Sequence, residues 1–165
     1  RWSRPSRPST PGAVIVTDTN MALAGIDQAR SGEAGRHGLL LYGLTPRWTA
    51  AAKEAGTTRA VAAMKKAAQE HPGAILAVGN APTALLTIAE QIESGLRPAL
   101  VIGVPVGFVN VVESKERLFA VCEKHDVPAI VAMGRKGGSN VAAAICNALI
   151  YSAAEMLDPS ARGWK

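Results

Sequence analysis

The stretch 74–92, AILAVGNAPTALLTIAEQI, constrains the fold more than any other part of the chain. Ile75, Leu76, Ala77 and Val78 form a short apolar run that reads as a buried strand. The run breaks at Gly79-Asn80-Ala81-Pro82-Thr83 and resumes with Leu85, Ile88, Ala89 and Ile92 at helical spacing. Asn80 is placed to cap that helix through its side-chain oxygen, and Pro82 fits the first turn, where a missing N–H is harmless. Strand, small-residue turn and capped helix make half of a βαβ unit. Its turn is expected to present free N–H groups to a ligand.

The same grammar repeats along the chain. Ala13-Val14-Ile15-Val16 reads as a first buried strand, ending at Thr17-Asp18-Thr19-Asn20, with Asp18 or Asn20 capping a short helix through Met21, Leu23, Ala24 and Ile26. A polar loop over 31–37 leads to a second strand, Leu39-Leu40-Leu41-Tyr42, followed by a brief helix over 48–55. Thr57-Thr58-Arg59 opens another helix, with Val61, Met64 and Ala68 on one face and Lys65 and Lys66 on the solvated side. Ala99-Leu100-Val101-Ile102 breaks into the stiff turn Gly103-Val104-Pro105-Val106-Gly107. Asn110 and Glu113 then have capping-box spacing before a helix carrying Leu118, Val121, Cys122 and His125. Pro128-Ala129-Ile130-Val131-Ala132 is the last strand. It ends at Gly134-Arg135-Lys136-Gly137-Gly138-Ser139, and Ser139 caps a long Ala-rich helix through Val141, Ile145, Leu149 and Met156.

Strands alternating with helices predict an α/β fold: an open, mainly parallel sheet with helices on both faces, a Rossmann-like three-layer arrangement. A core of small aliphatic residues suits helices packed closely on such a sheet, since 48% of residues are hydrophobic but only 4% aromatic. The 165 residues fit one domain, 12–158, between an extended basic arm, 1–11, and a tail, 159–165. Arg1, Arg4 and Arg7 supply three of the five net positive charges, so the folded body carries no strong basic bias. Neither nucleic acid nor membrane is an expected partner, because the body lacks a basic face and no apolar run could span a bilayer. Cys122 and Cys146 have neither metal-ligand nor redox spacing and read as buried thiols of a reducing, cytoplasmic compartment.

Chemistry is expected where the loops TDTN, YGLTP, VGNAPT, GVPVG and MGRKGGS follow their strands. In an open α/β sheet these lie on one edge, at the carboxyl ends of the strands. Arg59, Lys115, Arg135 and Lys136 add positive charge there, which favours an acidic ligand, a polycarboxylate or a phosphate. GRKGGS lacks the spacing of a phosphate loop, and no GxGxxG follows the first strand. His37, His71 and His125 show no metal-ligand pairing, and no Ser or Cys stands in a nucleophile motif.

VGNAPTAL, GVPVGFV, the nearby Glu113-Ser114-Lys115, GTTR and GRKGGS together resemble the precorrin-8X methylmutase family, in its order and spacing, from about Gly12 to Leu157. The resemblance implies an isomerase of cobalamin biosynthesis. Such an enzyme moves a methyl group between neighbouring ring carbons of precorrin-8X or cobalt-precorrin-8, giving hydrogenobyrinic or cobyrinic acid. It also implies a homodimer, a macrocycle held at the strand ends, and no cofactor and no metal, because the migration involves no net redox change. Arg59, from GTTR, is the first choice for gripping a substrate carboxylate, since a guanidinium can bond both oxygens at once. Thr58, Asn80, Ser114, Lys115, Ser139 and Asp18 are the further substrate-binding candidates. The family's proton-handling histidine belongs to an amino-terminal segment with an Arg-Met-x-His type motif. None of the three histidines stands in that context, so no catalytic residue is carried over, and a non-catalytic corrinoid-binding module is the alternative reading.

Overall fold

The computed structural model describes residues 14–27, 40–42 and 56–153. Five strands, β1 (Val14–Thr17), β2 (Leu40–Tyr42), β3 (Ile75–Val78), β4 (Leu100–Gly103) and β5 (Ala129–Val131), form one sheet in the order β2-β1-β3-β4-β5. Every neighbouring pair is parallel, with Ile15 beside Leu41 and Ile75, Leu76 beside Val101, and Ile102 beside Ile130. The helices are α1 (Asn20–Gly25), α2 (Arg59–Glu70), α3 (Pro82–Glu93), α4 (Val111–Lys124) and α5 (Ser139–Ala153). The expected helix over 48–55, the basic arm, the tail and the turn after β2 lie outside the described residues.

Alternation along each strand sorts the core into two layers. Val14, Val16, Leu76, Val78, Val101, Ala129 and Val131 face α2, α3 and α4. Ile15, Ile75, Ala77, Leu100 and Ile102 face the other way, toward α1 and α5. This is why the strands read as unbroken apolar runs: both faces are covered. On α3 the i, i+3, i+4, i+7 set Leu85, Ile88, Ala89 and Ile92 is fully buried, each of its large side chains contributing about 1.5–3 kcal/mol. Cys122 and Cys146 sit one in each layer, and burial pushes both thiols up to about 12.

The helix starts depart from the expected caps. At α1 the cap is Thr19, whose Oγ1 accepts from the Ala22 amide, and neither Asp18 nor Asn20 plays that part. At α3 the cap position falls on Ala81, with Pro82 just inside and no side-chain bond, so Asn80 does not cap. Asn110 does precede α4, but its backbone is left-handed (φ 55°), not the extended form a capping side chain needs, and the capping box does not form. Ser139 is already inside α5; the Gly138 carbonyl accepts the first bond, from Ala142. Helix α2 opens at Thr58-Arg59 as expected, and Thr58, a substrate-binding candidate in the sequence, serves there as the cap, accepting from the Val61 amide. His125, placed on the apolar face of α4 by its spacing, instead forms that helix's C-cap, with Nδ1 3.4 Å from an Arg97 nitrogen.

Candidate functional site

The carboxyl edge of the sheet carries the loops that interlock. Strand order reverses between β1 and β3, and in sheets of this order the crevice at that point receives ligands. Here it holds Asp18, the first residue after β1, only 1% exposed. Its Oδ1 accepts from the Gly79 amide at 2.9 Å, and its Oδ2 from the Asn80 and Ala81 amides, both at 2.8 Å. The Asp18 amide in turn donates to the Ala77 carbonyl at 3.1 Å. The N–H groups expected to be free for a ligand are therefore taken by a carboxylate from the adjacent strand, which also explains why Asn80 is not needed as a cap. Burial raises the Asp18 carboxyl above the usual carboxylate range, and the amide bonds offset only part of that rise.

The other loops lock onto this pair. A Cβ on Gly79 would lie 2.7 Å from the Ser139 Cα, so only glycine lets the β3 turn pass the start of α5. The Ser139 hydroxyl pairs with that of Thr19 at 2.9 Å. Gly137 runs against the Val104 and Pro105 carbonyls, and the Gly138 amide donates to the Val104 carbonyl at 2.8 Å. Lys115, fully buried on α4, donates through Nζ to the Gly134 and Lys136 carbonyls at 2.7 and 2.9 Å. The GRKGGS loop thus wraps a cation with its carbonyls, the opposite of a phosphate loop. Burial lowers the Lys115 ammonium below its ordinary value. Ser114 is buried beside it and donates to the Val111 carbonyl.

Of the seven residues singled out in the sequence, the fold brings Asp18, Asn80 and Ser139 together around the β1–β3 crevice. Asp18, Ser114, Lys115 and Ser139 spend their polar atoms on the protein itself and shape the loops rather than reach outward. Asn80, Thr58 and Arg59 are exposed. Helix α2 ends where β3 begins, at the Ala74 amide to His71 carbonyl turn, so it runs back along the sheet. Its 12 residues span roughly 18 Å, and its first turn, with Thr58 and Arg59, lies on the carboxyl edge. Arg135 and Lys136, both exposed, lie on the same edge. His71 and His125 close α2 and α4 at the opposite edge, and His37 is outside the described residues.

One component was not anticipated. Large apolar side chains stand exposed along this edge: Phe108 (85%), Val109 (78%), Val106 and Met133 on the β4 and β5 loops, and Met21 at the start of α1. The Arg135 guanidinium lies 6.0 Å from the Phe108 ring centre, a cation–π distance that ties the two loops together. The signal was present in GFV: two large apolar residues in a turn, with no strand or helix to bury them. Among the described residues no three His, Cys, Asp or Glu side chains gather as a metal site would require.

Comparison with known proteins points to one family. The family model for precorrin-8X methylmutase matches residues 9–152. The cobalt-precorrin-8 methylmutase of Salmonella typhimurium is 46% identical over 139 residues, covering 84% of this chain and 62% of its own length. The precorrin-8X methylmutase of Pseudomonas aeruginosa is 40% identical, with 84% and 65% covered. The chain thus spans less than two thirds of the length of these curated relatives. The crystal structure of precorrin-8x methyl mutase from Thermus thermophilus superposes with a TM-score of 0.76 at 40% identity, covering 94% of this chain and 76% of that one. A structure described as a precorrin-8X methylmutase related protein gives 0.77 at 31% identity, with 92% and 80% covered. Sequence likeness along residues 9–152, on a fold that superposes with TM-scores of 0.76 and 0.77, settles the kinship: the chain belongs to the precorrin-8X methylmutase family.

Proposed function

We propose that this protein acts in cobalamin biosynthesis as the isomerase that moves a methyl group between neighbouring ring carbons of precorrin-8X or cobalt-precorrin-8. The observation that carries the reading is the composition of the carboxyl edge, where exposed cations stand among exposed apolar side chains. A corrin-type ring is itself divided this way, with a broad apolar face and a periphery of carboxylates. Arg59 grips a peripheral carboxylate through paired N–H donors. Asn80 and Thr58 supply uncharged hydrogen bonds, and Phe108, Val106 and Met133 cover ring surface from water. Asp18, Ser114, Lys115 and Ser139 hold the loops that carry these groups. The migration is intramolecular, so the atoms balance without a donor or acceptor of electrons.

Two further parts of the reading are proposals of the same kind. Five large apolar side chains, Met21, Val106, Phe108, Val109 and Met133, stand exposed, and exposed apolar surface of this kind marks association sites, which supports a homodimer with the macrocycle beside the interface. Two free buried cysteines support a reducing, cytoplasmic compartment; among the described residues no helix is long and apolar enough to cross a membrane.

Incubation with precorrin-8X, followed by absorbance, tests the activity. Formation of hydrogenobyrinic acid is expected. Binding without conversion, while a full-length relative is active alongside, would reduce the protein to a corrin-binding module. Neither binding nor conversion would remove the reading altogether.

A further inference from the structure

The crevice at the β1–β3 reversal is where sheets of this order take the charged group of a ligand onto helix amides. In this protein it is already filled from within. The Asp18 carboxylate, buried, makes three amide bonds of 2.8 to 2.9 Å to Gly79, Asn80 and Ala81. No cation pairs with it among the described residues; Lys66–Glu70 and Arg117–Glu93 are ion pairs of the surface. The negative charge is instead stabilised by the turn itself and by the amino end of the 12-residue helix α3. Gly79 packs closely against Ser139 on the other side, so the turn is held from both sides. The exposed residue mounted on that fixed turn is Asn80.

We infer that Asp18 is a positioning residue: it supplies internally the anion that this crevice elsewhere draws from a ligand, and thereby sets Asn80 for contact with the ring. Two consequences follow. The crevice is closed to phosphate, so specificity for an unphosphorylated ligand is built into the fold. The ligand lies over the turn rather than inside it. This rests on the corrin reading above, and its test is separable from that reading.

The experiment uses Asp18→Ala, Asp18→Asn and Asn80→Ala in the whole protein. Asp18→Ala empties the carboxylate position but leaves three amides pointing into it. Added formate should raise its melting temperature by several degrees more than it raises that of wild type, at matched ionic strength with chloride. Formate should also recover part of the lost affinity for hydrogenobyrinic acid, followed by absorbance. Asp18→Asn keeps the volume and covers the case in which Asp18→Ala fails to fold. It should weaken corrin binding about tenfold, and adding Asn80→Ala should cost little more, because coupled residues are not additive. The amide resonances of Gly79, Asn80 and Ala81 should move upfield in Asp18→Asn as they lose a charged acceptor. Equal responses of Asp18→Ala and wild type to formate, unmoved amides, or fully additive losses would each overturn the positioning role. Failure of wild type itself to bind the corrin would overturn the corrin reading, while the formate and amide measurements would still decide the part played by Asp18.

Discussion

Lys115 and Arg59 carry the same charge and have opposite fates. The Lys115 ammonium is buried against two carbonyls, and burial depresses its pKa below the ordinary 10.5. Below the folded-state value both folded and unfolded chains hold the proton, and stability does not depend on this group's titration. Between that value and 10.5 the unfolded chain holds more protons, so the free energy of unfolding rises with pH. Urea unfolding of wild type and Lys115→Met from pH 7 to pH 10 should therefore show wild type gaining on the variant as pH rises. Parallel pH profiles would mean the depressed value is wrong. Arg59, exposed at the first turn of α2, has no such structural task. Both residues read alike in the sequence as cations near a ligand edge. Nothing in ESK says that the lysine turns inward, because the carbonyls that receive it come from a loop 19 and 21 positions away.

At the scale of elements, the strands and the buried face of α3 were legible from periodicity, but on α1 Met21 and Ala24 are exposed, and on α5 Val141, Ile145 and Leu149 are only half-buried beside the buried Ala142, Ala143, Cys146 and Ile150. Leu85, Ile88, Ala89 and Ile92 mark α3 in the sequence and are its buried face in the structure. Pro82 at the start of α3 and the opening of α2 at Thr58-Arg59 were legible too, but the caps of α1, α3 and α4 were not. Capping motifs assume that a helix satisfies its first amides locally, whereas the start of α3 is satisfied by Asp18, some sixty residues earlier in the chain. The Thr19–Ser139 pair is likewise a contact between residues far apart in the chain. The glycines of those loops give the sharpest test of the interlocking. Gly79→Ala places a methyl group 2.7 Å from the Ser139 backbone and should destabilise the protein by about 1–3 kcal/mol. Gly73→Ala, where nothing lies within 4 Å, should stay within about 0.5 kcal/mol of wild type. Chemical denaturation of the two variants compares them directly, and similar losses would count against a tight contact at Gly79.

On the scale of the whole molecule, one edge of the sheet concentrates fixed loops, free cations and uncovered apolar side chains, while the described histidines close helices at the other edge. The exposed apolar side chains left only a local trace in the sequence, Phe108 and Val109 in a turn, and nothing there says that Met21, Val106 and Met133 share their edge. If that edge also joins two copies, sedimentation equilibrium should give a mass near twice that of the 17.1 kDa chain, and Phe108→Ser should shift the equilibrium toward the monomer. A wild-type mass of one chain at all concentrations would exclude the dimer. The central claim, that this edge holds a carboxylate-bearing corrin, is tested most directly by titrating hydrogenobyrinic acid into wild type and Arg59→Ala and following absorbance. Wild type should show a saturable spectral shift, and Arg59→Ala should bind more weakly by about 1.5–3 kcal/mol with an unchanged unfolding midpoint. A wild-type protein that leaves the spectrum untouched, or a variant that binds as tightly as wild type, would contradict the account.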